Sequence, residues 1–133
     1  MKRYSGIIVR NEDKYLLCKR NYEGNLPGVW SVPGGHMEDN ETPEECARRE
    51  FFEETNYKID GRLNLVGFIE HTNNEDEMKG LMYVYFYDSD DEINPDLRNA
   101  KDGDEHLVCN YFSFDDLPLE KNDQLYKIIK KLN

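Results

Sequence analysis

A chain of 133 residues and 15.8 kDa is long enough for one domain with one core, which at this size buries about two-thirds of the surface its unfolded form exposes. With 17 Lys and Arg against 28 Asp and Glu the net charge is −11, which argues against general attraction to nucleic acid or an anionic membrane and favours cation binding. No apolar run approaches the roughly 18 residues of a membrane span, and the N-terminus lacks the charged-then-apolar layout of a signal peptide, so a cytoplasmic protein with no membrane partner is expected. Cys18, Cys46 and Cys109 are odd in number and lack C-x-x-C spacing. Two of them fall in apolar strand-like runs, so buried reduced thiols are expected rather than disulfides or zinc ligands, in keeping with the cytosol.

In chain order, the β-branched run 4–10, a turn at 11–14 and the apolar run 15–20 predict a hairpin. Its second strand ends in Lys19-Arg20, before a loop of turn formers over 21–28. By itself a basic pair there reads as an exposed edge. A short strand is predicted at 30–32, with Trp30 in the core as a large aromatic among small and apolar neighbours. Gly34-Gly35 then forms a glycine loop, where the backbone either takes positive φ or lets a ligand approach closely. His36 follows it, a candidate for base or phosphate contact or simply a polar loop residue.

Thr42 as N-cap, Pro43 at the first helical position and Glu45 completing a capping box start a helix near residue 43. Along it Glu50, Glu53 and Glu54 fall within an arc of about 100°, one turn beyond Cys46 and Ala47 on the same side. Like charges at that spacing repel, so the face calls for a positive partner. A hard divalent cation such as Mg²⁺, which takes oxygen ligands, suits it; for an arbitrary helix a solvated glutamate face is the commoner reading, and Gly34-Gly35 just before the helix shifts the balance toward a ligand.

Beyond the helix, 58–70 alternates apolar and polar as a strand, 71–79 is a polar loop, and the nearly continuous apolar run 81–87 predicts a central strand. The Asp-, Asn- and Gly-rich stretch 88–104 is too long for a plain connection and reads as functional. It is not a calcium loop, because Ile93 stands where an EF-hand requires glycine. A strand over 107–114 follows, and Leu125, Ile128, Ile129 and Leu132 recur at helical spacing over 124–132. No repeat or linker divides the chain, so one domain over 1–133 is expected.

The spacing of Gly35, Glu41, Arg49-Glu50-Phe51, Glu53-Glu54 and Tyr57 resembles the Nudix box, G-x5-E-x7-R-E-U-x-E-E-x-G-U, where U is a bulky apolar residue. Asn56 departs from the last glycine, but asparagine tolerates the left-handed conformation of a helix C-cap. The ending Phe114-Asp-Asp-Leu-Pro118 also resembles the family, with Tyr111 in its usual tryptophan position and Glu105 six residues earlier.

The resemblance implies an α/β fold, a Nudix-type α/β/α sandwich around a mixed β-sheet in a single domain. It implies hydrolysis of a nucleoside diphosphate linked to another moiety X, with Mg²⁺ as cofactor and Mn²⁺ as an alternative. The implied ligand set is Glu50, Glu53, Glu54 and Glu105 with a carbonyl from Gly34 or Gly35, with Asp102 and Asp104 as fallbacks for Glu105. Arg49 orients a glutamate, Glu41 is structural, Glu53 or Glu105 is the general base, and Arg20 and His36 meet the substrate. The segments 32–38 and 44–47 look most like small MutT-like nucleoside triphosphate diphosphatases. Sugar nucleotides, dinucleoside polyphosphates and capped RNA are the alternative substrates, and a catalytically inactive nucleotide-binding module is the alternative of another class. The implied partner is a small nucleotide, bound by a monomer or a homodimer.

Overall fold

A computed structural model describes residues 1–21 and 28–133, so most of the loop expected at 21–28 lies outside the described residues. The chain runs β1 (Lys2–Asn11), β2 (Lys14–Arg20), β3 (Trp30–Ser31), β4 (Gly34–His36), α1 (Pro43–Thr55), β5 (Asn64–Thr72), β6 (Met78–Ser89), β7 (His106–Ser113) and α2 (Gln124–Leu132). Short 3-10 turns at Gly103–Glu105 and Phe114–Asp116 precede and follow β7.

All the strands join one mixed sheet, ordered β3-β2-β1-β6-β5, with β4 also on β1 and β7 on β2. β1 lies parallel to β6 along its length, and the other pairings are antiparallel. The hairpin strands pair only near their turn, Val9 with Leu16 through Asn11 with Lys14. Farther from the turn they part: β4 takes the edge of β1 at Tyr4–Gly6, and β3 takes the edge of β2 at Cys18 and Lys19. That parting delivers the chain from the sheet interior to the start of α1.

β1 is buried on both faces because each face carries a helix. Ile7 and Val9 pack with Leu16, Ala47 and Phe51 under α1, whereas Ile8 packs with Leu17, Val84, Leu125 and Ile129 under α2. The result is the expected α/β/α sandwich. Trp30 packs on the α2-side core, edge-on to Phe112 with ring centroids 5.1 Å apart. α2 also covers the edge of the sheet: the Gln124 side chain accepts from Glu70 N and donates to Glu70 O, both at 2.8 Å, blocking pairing by another strand there.

Several expectations are corrected. Gly34-Gly35 is a strand paired to β1 rather than a loop. β5 begins at Asn64, not 58, and the polar loop shrinks to 73–77, folded around the Asn73 carboxamide, which accepts from Glu75 N and Glu77 N. The cysteines are not all reduced: Cys18 and Cys109 face each other across β2 and β7 and form a disulfide, leaving Cys46 as the buried free thiol. Their separation of 91 residues hides that pairing from sequence spacing, because strand order alone creates it. The inference of a reducing compartment loses its cysteine support.

Candidate active site

The sequence fixes α1 at both ends. Thr42 Oγ1 accepts from Glu45 N at 3.1 Å while Glu45 Oε1 accepts from Thr42 N at 2.9 Å, the expected capping box. At the exit Asn56 adopts φ 61° and ψ 20°, the left-handed conformation expected where the box has glycine. Between these caps the glutamate face meets β4. A Cβ on Gly35 would lie 2.5 Å from the Glu50 carboxyl carbon, so this glycine serves close approach, not positive φ. The Gly35 carbonyl faces α1 as well, with Cys46 Sγ 3.5 Å away. Burial pushes the Cys46 thiol up to about 12, so it stays protonated.

Arg49 is the hub of the exposed half of the site. Its Nε lies 2.6 Å from Glu41 Oε2 and its Nη2 3.0 Å from Glu41 Oε1, a bidentate pair. Nη1 donates to Glu50 Oε1 at 2.9 Å and Glu53 Oε1 at 3.0 Å, and Nη2 also donates to the His36 carbonyl at 2.9 Å. Hydrogen bonding to Arg49 holds the Glu41 carboxyl below the usual range, and the same bond raises Arg49 above its own. Glu41 also accepts from Glu38 N at 2.9 Å, fixing the segment that enters the helix.

Glu54 is held differently. It is fully buried and hydrogen-bonded through Oε1 to His106 Nε2 at the start of β7. The long loop before β7 makes this possible by docking on the end of α1: Asp102 N donates to Glu53 O at 2.7 Å and Asp96 N to Thr55 O at 2.8 Å, satisfying carbonyls a helix terminus leaves open. Burial, then Glu50 and Glu105, push the Glu54 carboxyl far up, and burial and Arg20 push His106 down to about 4. Lost hydration also raises Glu105, helped by Asp102, Glu50 and Asp104 and opposed by Arg20.

Arg20, opposite His106 in the β2–β7 register, thus places its charge among Glu54, Glu105 and His106. The structure gathers Glu50, Glu53, Glu54, Glu105, Arg49, Arg20 and Gly35 around one end of the sheet. His36 reaches this group through its carbonyl, while its ring lies 4.3 Å from the Tyr4 ring. Two residues of the site escaped the sequence reading. His106 belongs to no motif, and Lys101, whose Nζ is 3.5 Å from Glu53 Oε2, lay in an aperiodic loop. Only the length of that loop signalled a role.

The NUDIX domain family model matches residues 2–132. The chain belongs to the Nudix family. Among solved structures, the MutT Nudix hydrolase of Burkholderia pseudomallei shares the fold with a TM-score of 0.80 at 22% identity, over 99% of this chain and 98% of that one. In sequence, the chain is 44% identical over 54 residues to the nucleoside triphosphatase NudI of Enterobacter sp. (strain 638), 40% of this chain and 38% of that one. It is 38% identical over 50 residues to the 8-oxo-dGTP diphosphatase of Proteus vulgaris, 38% of this chain and 45% of that one. The matched stretches thus span less than half of those curated relatives.

A divalent cation, which the Nudix fold implies, fits the chemistry of this donor set. Glu50 and Glu105 raise the proton affinity of Glu54, Glu50 raises that of Glu105, and one oxygen of buried Glu54, Oε2, has no hydrogen-bond partner. As they stand, no three His, Cys, Asp or Glu side chains among the described residues form a finished cage. Glu50 and Glu53 each give one oxygen to Arg49, and Glu54 gives one to His106.

Proposed function

We propose that this Nudix chain is a Mg²⁺-dependent pyrophosphohydrolase, with Mn²⁺ as an alternative metal, acting on a nucleoside diphosphate linked to X. The substrate we assign is a nucleoside triphosphate, canonical or modified, cleaved to the monophosphate and pyrophosphate. The observation that carries this reading is the carboxylate face of α1, crowded by Gly35, organised by Arg49 and ending in a buried glutamate with an unpartnered oxygen. The named activities of the NudI and 8-oxo-dGTP diphosphatase relatives support the substrate class.

Glu50, Glu53 and Glu54, with the Gly34 or Gly35 carbonyl, would hold the cation, which when bound neutralises phosphate charge and lowers the pKa of attacking water. Arg49 keeps Glu50 and Glu53 from scattering into solvent and gathers them beside the site. Arg20, in a strongly acidic chain, supplies positive charge for the triphosphate on the β2 side, and His36 is the second residue we assign to substrate contact. The water oxygen attacks phosphorus, the bond to the leaving pyrophosphate breaks, and the water proton passes to a carboxylate. Glu53 already shares its oxygens with Arg49 and Lys101. Glu105, whose proton affinity is raised, is therefore the better general base of the two.

No described helix is long and apolar enough to cross a membrane. A cytoplasmic location would suit nucleotide substrates; the Cys18–Cys109 bond is the structural feature that opposes it. The test of function is a panel of canonical and oxidised nucleoside triphosphates, ADP-ribose, diadenosine polyphosphates, sugar nucleotides and capped RNA, with products resolved by chromatography. Pyrophosphate release from triphosphates is expected. Efficient cleavage of another member without it would overturn the substrate, and binding without cleavage of any would support an inactive nucleotide-binding module.

A further inference from the structure

The glutamates of α1 are positioned by two separate devices. Arg49 holds Glu50 and Glu53 but makes no bond to Glu54. Glu54 is instead held from across the fold by His106, 52 residues later, and the two side chains are 0% and 1% exposed. This contact uses one atom of each group. Glu54 Oε2 and His106 Nδ1 are left buried without partners, the two buried side-chain polar atoms of the described residues in that condition. An unsatisfied buried carboxylate oxygen is rare in native proteins, and its retention calls for something that binds it. Glu54 lies on the same face of α1 as Glu50 and Glu53, and a face of carboxylates calls for a positive partner.

We infer that His106 is a positioning residue for the metal site: by engaging Oε1 through Nε2 it fixes the Glu54 carboxylate in one rotamer and reserves Oε2 for the divalent cation. The inference rests on the proposed role of Glu54 as a metal ligand. The ring suits the task, because a buried imidazole cannot rotate away from its partner as a flexible chain would, and toward an ionised Glu54 its Nε2–H donates. The docking of the 96–102 segment on the last turn of α1 then acquires a purpose, since it brings the start of β7 to Glu54. A ligand on a helix is thus aimed by a residue on a distant strand, a support of the kind that commonly changes metal affinity 10- to 100-fold.

The test is Mn²⁺ binding to the metal-free full chain, read from the free-ion electron paramagnetic resonance signal, so that no substrate or turnover is needed. His106→Leu is expected to weaken Mn²⁺ binding by about 10- to 100-fold, the range seen when such supporting groups are lost. His106→Gln, whose amide reaches the position of Nε2, should stay within about threefold of wild type, whereas His106→Asn, which is one bond shorter, should resemble leucine. If leucine at 106 does not fold, the glutamine and asparagine variants decide, and equal affinities in those two would overturn the inference. Unchanged Mn²⁺ affinity in a folded His106→Leu would overturn it as well. Glu54→Gln separates the levels: if it binds Mn²⁺ like wild type, the ligand role of Glu54 falls. If it loses binding while His106→Leu does not, only the positioning role falls.

Discussion

Replacing Arg49 tests the central geometry most directly. The side chain is 23% exposed, its partners Glu41, Glu50 and Glu53 are 12%, 13% and 17% exposed, and it makes four hydrogen bonds to their carboxylates. Charge-assisted bonds contribute about 1.5–3 kcal/mol each when removed singly, but four such values would rival the whole stability of a small domain and do not add within one network. The applicable magnitude is that for deleting one partner of a largely buried ionic cluster, about 3–5 kcal/mol. Arg49→Ala should therefore lose about 4 kcal/mol at pH 7, and Arg49→Lys about half of that, because an ammonium keeps the charge but not the fork that grips Glu41. The pH dependence has a definite sign. Arg49 depresses the Glu41 carboxyl below its ordinary value of 4.5, so this stabilisation is fully present above that value and fades as pH falls through the folded-state value. Urea unfolding in EDTA at pH 7 and in a series below pH 4.5 measures the gap between wild type and variant. A loss under about 1 kcal/mol at pH 7, or a gap that widens in acid, would refute the reasoning.

Glu53→Gln or Glu54→Gln should lower turnover at saturating Mg²⁺ by at least about a hundredfold with the fold retained; near-wild-type turnover in both variants would remove the assigned site. Asn56→Gly should be nearly neutral, and Asn56→Val, forced to positive φ, should cost about 1 kcal/mol or more in thermal melts; a valine variant as stable as wild type would contradict the left-handed cap. Breaking the Cys18–Cys109 bond with reductant should destabilise by about 2–4 kcal/mol, and thiol titration of unreduced, denatured protein should find one free cysteine, Cys46. Three titratable thiols would show that the bond does not form.

The ends and the charged face of α1 were legible in the chain. Thr42, Pro43 and Glu45 announce the start of α1, Asn56 its end, and the spacing of Glu50, Glu53 and Glu54 its charged face, because caps and helical periodicity involve residues within about one turn of each other. The central placement of β6 followed from its apolar run, and the box spacing pointed to the family. Gly35 was readable only as a choice between positive φ and close approach, and the Glu50 carboxylate pressed against it decides for approach. Strand order lay beyond the sequence, since hydrophobic alternation says which face a residue occupies but not which strand lies beside it. The parting of β1 from β2, the disulfide between Cys18 and Cys109, and the meeting of Arg20 with His106 all depend on that order. So does the division of labour in the site. Arg49 reaches its glutamates from the same helix and could be read from the box, whereas His106 reaches Glu54 only because a long loop folds back on the end of α1, a contact that no local pattern encodes.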